Sequence, residues 1–257
     1  MRIMRIVAIA IALTSMAGLI RAGVTYQLLV NNAKGNSVTY KVWADGKSYR
    51  TEVAPYEGMP ELERQYPIVL STDGGKTRLH LRPENRTWYK DSDKKLTPQD
   101  IVAAGTNARL LERNVSLEEE VSDEKIADLA TRKIVVRASC VIESEIDTET
   151  IKLHKTRTLL VWVADVPCAP RTPGAVPRLR LGVPEVDDAI LARLDSIEGL
   201  IVRVVDSVTE RYEGGTVRTS ISRSEVIDPR CSELRPSLFA VPKDFRYQQP
   251  IIAAPGA

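Results

Sequence analysis

The chain has few of the residues that most often carry chemistry in proteins. Its 257 residues include two histidines, three cysteines, three tryptophans and two phenylalanines. His80 and His154 each lie in an alternating segment beside basic neighbours, which is typical of a solvated strand face rather than of a catalytic triad. The sequence contains no CxxC or HxxxH spacing for zinc and no G-x-S-x-G or G-x-G-x-x-G motif. It therefore predicts a protein that is not an enzyme and uses no cofactor or metal; a hydrolase with an unfamiliar site is a further alternative.

Two local patterns imitate functional motifs. Gly75-Lys76-Thr77 resembles the end of a phosphate-binding loop, but Leu70 stands where that motif needs its first glycine. A hairpin turn is therefore predicted there. Asp187 and Asp188 form an apparent carboxylate pair, but adjacent side chains on a helix diverge by about 100°. We interpret them as acidic residues that favour the N-terminal end of a helix dipole.

Charge of one sign is not in excess, and long apolar runs are missing. The chain carries 36 basic and 34 acidic residues, so it lacks the basic excess that binding to a phosphate backbone requires. Nucleic acid is not a predicted partner. The longest apolar stretch near the N-terminus, residues 6–13, is far shorter than the roughly 20 residues that span a bilayer. No integral membrane span is predicted.

That N-terminal stretch instead has the profile of a secretory signal peptide. Arg2 and Arg5 precede the apolar run, and small residues follow it. Cleavage after Ala17 or after Ala22 fits the pattern equally well. The predicted organisation is a signal peptide over residues 1–22, one domain over residues 23–247 and a flexible tail over residues 248–257. The predicted location is the periplasm.

The three cysteines suit an oxidising compartment with one disulfide and one thiol. Cys140 lies in a strand-like run with apolar residues at a spacing of two, which indicates a core position. Cys168 and Cys231 lie in segments rich in proline and are predicted to be loop residues. We predict that these two form the disulfide.

Alternation of apolar and polar residues dominates the rest of the chain and predicts strands. These strands are predicted over residues 24–30, 38–42, 49–53, 66–72, 76–82, 86–90, 110–120, 133–146, 151–164, 200–211 and 216–227. The residue pair Asp45-Gly46 is a strong hairpin signal, because both positions tolerate positive φ. Helices are predicted over residues 97–105 and from Pro184 to Gly199. The second of these has a buried stripe at Val186, Ile190, Leu194 and Ile197.

Together these elements predict an α+β fold. A sheet of about ten antiparallel strands is expected to curl into a half-barrel. We expect two or three helices to cover its concave face, and a binding cavity between sheet and helices.

Five segments resemble those of the LolA/LolB-like lipoprotein carrier superfamily and its periplasmic relatives. They are residues 40–50 (YKVWADGKSYR), 81–89 (LRPENRTWY), 160–164 (LVWVA), 197–202 (IEGLIV) and 239–242 (FAVP). The resemblance implies a half-open antiparallel barrel that holds acyl chains or a hydrophobic peptide under a helical lid.

The sequence thus predicts an exported, non-enzymatic binding protein that holds a lipid, an acyl chain or a hydrophobic segment. Trp43 and Trp162 lie in predicted strands and are the candidate ligand contacts, with ordinary core packing as the alternative. The alternative function is a periplasmic sensor or scaffold that binds other envelope proteins through sheet edges and loops.

Overall fold

The computed structural model describes residues 21–31, 33, 35–75, 77–91, 106–120, 124–146, 149–169 and 183–248. Residues 1–20 of the predicted leader, the predicted helix over residues 97–105 and residues 249–257 of the predicted tail lie outside the described residues.

Strands dominate the described part of the chain. The first six are β1 (Arg21–Asn31), β2 (Ser37–Asp45), β3 (Ser48–Val53), β4 (Ile68–Ser71), β5 (Arg78–Arg82) and β6 (Thr87–Asp91). The next seven are β7 (Thr106–Glu120), β8 (Lys125–Ile126), β9 (Leu129–Ile146), β10 (Glu149–Ala164), β11 (Leu200–Tyr212), β12 (Val217–Leu234) and β13 (Arg246–Tyr247). The helices are α1 (Glu61–Gln65), α2 (Pro184–Asp195) and a 3₁₀ helix (Pro236–Phe239).

These strands form one large open sheet. Its order is β13-β6-β5-β4-β3-β2-β1-β12-β11-β10-β9-β7, and β8 pairs with β9 beside this path. Neighbouring strands are antiparallel, except that β13 runs parallel to β6. The pairing of β1 with β12 joins two meanders, so the start and the end of the domain meet in the middle of the sheet. The predicted antiparallel sheet is confirmed, and the segment over residues 110–120 is extended.

The turns follow the local sequence. Gly46, between β2 and β3, has a φ of +57°, as the Asp-Gly signal requires. Between β4 and β5, Asp73 Oδ1 accepts a hydrogen bond from the Thr77 N–H (2.9 Å). Ser71 Oγ accepts one from the Gly75 N–H (2.8 Å). The apparent phosphate-binding motif is therefore a hairpin turn.

Helix α2 begins at Pro184, whose missing N–H costs nothing in a first turn. Val186, Ile190 and Leu194 are buried, as the stripe predicted. The helix packs against β7 and β9. The described ranges contain two α-helices, of which only α2 was predicted. That two or three helices cover a concave face of the sheet stays a prediction.

Buried side chains form two main cores. The α2 core joins the helix to one face of β9, β10 and β11. The second core links β1, β2 and β3 to β10 and β11 and includes the β8–β9 hairpin. Its members include Val24, Val42, Trp162 and Val202.

Candidate functional site

Strand β10 separates the two cores. Leu159, Val161 and Val163 point into the α2 core, whereas Leu160, Trp162 and Ala164 contribute to the second core. Alternate residues of a strand point to opposite faces of the sheet. The space beside α2 and the side chain of Trp162 therefore lie on opposite faces of β10.

The sheet face that carries α2 has apolar residues in register across four strands. Leu110, Ile142, Leu153 and Tyr212 form one such cross-strand row on β7, β9, β10 and β11. Ile142 and Leu153 are buried, while Leu110 and Tyr212 are half-buried. Other half-buried apolar residues at the margins of this core are Ala108, Val115, Leu117 and Val208. The apolar face thus ends in a partly exposed rim on β7 and β11, which we call the apolar rim.

Two ion pairs interrupt this apolar face, one of them buried and the other between a buried lysine and a half-buried glutamate. Arg157 donates to both carboxylate oxygens of Asp206, at 2.8 and 2.7 Å. Lys155 Nζ lies 2.7 Å from Glu210 Oε1 on the neighbouring strand. Asp187 of α2 is 6% exposed. Buried charges are stable only when they are paired in this way.

Sequence reasoning missed these pairs, although a signal for them exists. Lys155 and Arg157 keep the spacing of two that runs through Leu153, Leu159 and Val161. That spacing puts both cations on the apolar face of β10, where they require partners. The sequence pattern indicates a helix-end charge at Asp187, but this residue is buried because it lies on the same side of the chain as the buried Val183 and Ile190, four residues before it and three after it.

Trp162 lies between two cations on its own face of the sheet. Lys133 and Arg203 stand directly opposite it on β9 and β11. Lys133 Nζ is 5.8 Å and Arg203 Cζ is 5.5 Å from the ring centroid. Glu120 and Glu225 pair with these cations and extend the row to five strands. Trp162 is 6% exposed, and its Nε1 has no hydrogen-bond partner among the described residues.

Hydrogen bonding in this row shifts the acidity of Glu225. Burial alone raises the pKa of Glu225, but hydrogen bonds from Arg203 and Arg223 outweigh burial and hold that pKa below its ordinary value. The row is therefore a neutral arrangement of fixed charges around an indole ring.

Trp43 has a different environment. It is half-buried on β2, with Lys41 Nζ 4.8 Å and Arg50 Cζ 5.9 Å from its ring centroid. Its neighbours Val42 and Ala44 belong to the second core, so Trp43 points away from that core. The fold does not bring Trp43 and Trp162 together.

The predicted disulfide is confirmed. Cys168 and Cys231 are bonded, with Cα atoms 5.6 Å apart. The prediction that Cys231 is a loop residue is wrong, because it lies in β12 opposite Val24. Pro229 fits inside this strand because the β1–β12 register shifts next to it, at a bulge where no ladder hydrogen bond is needed.

The remaining cysteine and the two histidines lie in ordinary strand environments. Cys140 is a buried free thiol. His80 is half-buried and stacks on Tyr89, with ring centroids 4.6 Å apart, whereas His154 is exposed. Within the ranges that the structure describes, no three His, Cys, Asp or Glu residues are grouped so that they could hold a metal ion. None of the described helices is long and apolar enough to cross a membrane.

No protein-family model matches the sequence, and no curated protein matches it. Among solved structures, the chain is similar to an uncharacterized conserved protein from Thermus thermophilus. The two are 11% identical, with 94% of this chain and 98% of that chain covered and a TM-score of 0.33. It is also similar to the LolA superfamily protein NE2245 from Nitrosomonas europaea. That pair is 12% identical, with 90% and 97% covered and a TM-score of 0.29. A LolA superfamily protein is thus among the solved structures to which this chain is similar.

Proposed function

We propose that the protein is exported to the periplasm and acts there as a non-enzymatic binding protein of the cell envelope. In this proposal it holds a lipid, an acyl chain or a hydrophobic segment between α2 and the sheet. The sheet then acts as a half-barrel whose concave face is the one that α2 covers. The observation that supports the proposal is the width of the apolar face beneath α2.

The dimensions of the helix and the sheet differ. Helix α2 has 12 residues, so it is about 18 Å long and about 10 Å wide. The four strands β7, β9, β10 and β11 span about 14 Å, and the apolar stretch of β9 from Ile134 to Ile142 is about 27 Å long. The centre of this face is buried, since Ile134, Ile142 and Val161 are at most 2% exposed, so only the margins of the face are open to a ligand. The half-buried apolar rim offers contact surface for an acyl chain beside the helix.

Trp43 and Trp162 are candidate contacts for a ligand outside the space beneath α2, because Trp162 lies on the opposite face of β10. Trp162 is the stronger candidate because its buried Nε1 has no acceptor among the described residues, and an ester or amide carbonyl would satisfy it. Both rings face two cations, so the unsatisfied Nε1 is what distinguishes Trp162. We propose that only Trp162 donates a hydrogen bond to a ligand on its own face of the sheet.

The first experiment is native mass spectrometry of the protein purified from a periplasmic fraction, followed by organic extraction and lipid analysis. We expect bound species that extraction removes and that contain acyl chains. A protein that carries no such species, and that does not take up a dansylated fatty acid, contradicts the proposal.

The second experiment locates the site by a matched pair on β7. Leu117 belongs to the apolar rim, and Ser116 points to the other face of the same strand. Leu117→Gln should weaken binding of the dansylated fatty acid about tenfold, because it puts an amide where the chain packs. Ser116→Gln should leave binding unchanged. Trp162→Phe should leave binding of the dansylated fatty acid unchanged, because Trp162 lies on the face of β10 opposite α2.

One observation favours the alternative function, a scaffold or sensor that binds other envelope proteins. Val217 and Ile221 on β12 are 51% and 58% exposed on a stretch of sheet edge. The absence of extractable lipid, together with retention of envelope proteins by a column of the purified protein, would favour this alternative over the carrier.

A further inference from the structure

We propose that two copies of this chain associate by pairing the free edge of β12 over residues 217–222, which we call the edge segment. The pairing would join the two sheets into one. This interface lies outside the α2 core, so a test of dimer formation does not depend on whether the protein binds a ligand.

The edge segment extends beyond its neighbour. Strand β1 pairs with β12 only as far as Arg223, which lies opposite Asn31. Residues 217–222 pair with β11 on one side, and no described strand pairs with them on the other. Residues 217–221 are exposed, with Val217 and Ile221 among the most exposed large apolar residues of the described chain.

The other long edge of the sheet is protected by charge. Strand β7 carries Arg109, Glu112 and Arg113 and ends in three consecutive glutamates, and charged side chains keep edge strands from pairing. The edge segment has the sequence VRTSIS, with Arg218 as its one charged residue. It therefore combines β-branched residues with an unprotected backbone edge.

The edge segment is complementary to itself when it pairs antiparallel about Thr219. In that register Thr219 faces Thr219 of the second copy. Val217 of each copy faces Ile221 of the other copy, which gives two equivalent pairs. Arg218 faces Ser220, so no like charges lie opposite each other. These exposed apolar residues would thus bury each other in two equivalent pairs.

This register fixes the arrangement of the copies. A residue and its partner across an antiparallel pair lie on the same face, so the two-fold axis is perpendicular to the sheet. Both α2 helices then lie on the same side of a continuous sheet. The pair would gain about four to six main-chain hydrogen bonds. Because the contact is small for a stable dimer, we expect association in the micromolar range.

The test is sedimentation of the purified full chain from about 1 to 500 µM, with lipid extracted. The proposal predicts a concentration-dependent dimer. Ile221→Lys should raise the dissociation constant about tenfold or more, because two buried lysines would face apolar partners. Ile227→Lys is the matched control, since Ile227 is 40% exposed on the same strand but lies where β1 already pairs. It should leave the dimer unchanged.

Cross-linking tests the register. On mild oxidation Thr219→Cys should form a disulfide-linked dimer, because the two side chains meet at the axis. Val217→Cys should not link to itself, because the two copies of that residue are about 13 Å apart. Circular dichroism of each variant checks that it is folded. A chain that stays monomeric at every concentration, or a dimer that Ile227→Lys disrupts and Ile221→Lys does not, overturns the proposal.

Discussion

At the scale of single residues, the least expected feature is the pair of cations beneath α2. Lys155 and Arg157 occupy alternating positions of a strand, and the next positions on the same face are Leu153 and Leu159. Each is buried and forms an ion pair with a carboxylate on β11. A hydropathy pattern identifies such residues as interruptions, whereas the structure shows that they are paired members of the core.

Removing one partner of the buried pair should be costly. Asp206→Ala leaves Arg157 buried without its carboxylate, and we expect a loss of about 3–5 kcal/mol in the free energy of unfolding. Glu118→Ala, which breaks the exposed pair with Arg137, should cost at most about 1 kcal/mol. Urea unfolding measures both. The double variant Arg157→Met with Asp206→Leu should recover most of the loss, and equal effects of Asp206→Ala and Glu118→Ala would contradict this assignment.

Cys140 should respond to pH in a predictable direction. Burial is the main influence and raises its pKa to about 11, with Lys155 lowering it and Asp187 raising it. The folded state therefore favours the neutral thiol. That contribution is complete below the pKa of the unfolded thiol, about 9, and is lost as the pH rises towards 11.

The measurement compares the wild type with Cys140→Ala. The free energy of unfolding should fall more steeply above pH 9 in the wild type than in the variant. Ellman's reagent at pH 8 should label one thiol in urea and almost none in the native protein. Rapid labelling of the native protein would show that Cys140 is accessible.

At the scale of elements, the local sequence predicted helix α2 and the β2–β3 hairpin correctly. Pro184 and the apolar stripe located α2, and Asp45-Gly46 located the β2–β3 hairpin, because caps and tight turns depend on a few adjacent residues. The sequence pattern predicts too short a length for strand β12. It was predicted to end at Ile227 but continues to Leu234, because the partner that satisfies its later residues is β1, some 200 residues away in the sequence.

The disulfide stabilises this second half of β12. It ties β12 to the segment after β10 across a sequence separation of 63 residues. Reduction should lower the free energy of unfolding by about 4 kcal/mol, because the unfolded chain regains the freedom of a long loop. The double variant Cys168→Ser with Cys231→Ser should match the reduced wild type and be insensitive to dithiothreitol. A reductant that leaves the unfolding midpoint unchanged would contradict this role.

At the scale of the whole molecule, the pairing of β1 with β12 makes the start of β1 important. Arg21 and Ala22 pair with Leu234 and Glu233. Of the two cleavage points left open by the sequence, the one after Ala17 keeps these pairs, and the one after Ala22 removes them.

We therefore predict processing after Ala17 when the full chain is produced in a Gram-negative host. N-terminal sequencing of the protein from the periplasmic fraction should begin at Gly18. A variant with Ala17→Arg should be processed poorly and accumulate as the longer form, since small residues are required at the cleavage site. A mature protein that begins at Gly23, or an unprocessed chain that begins at Met1, would contradict this prediction.

The sequence by itself determined the class of the fold, the position of α2, the tight turns and the cysteine pair. These follow from periodicity, capping and composition, which act over a few residues. Only the tertiary structure decided that β1 lies beside β12 and that Trp162 and α2 are on opposite faces of β10. It also decided which carboxylates neutralise Lys155 and Arg157. Each of these depends on the register between strands distant in the chain, which is set by the packing of the whole sheet and has no local signal.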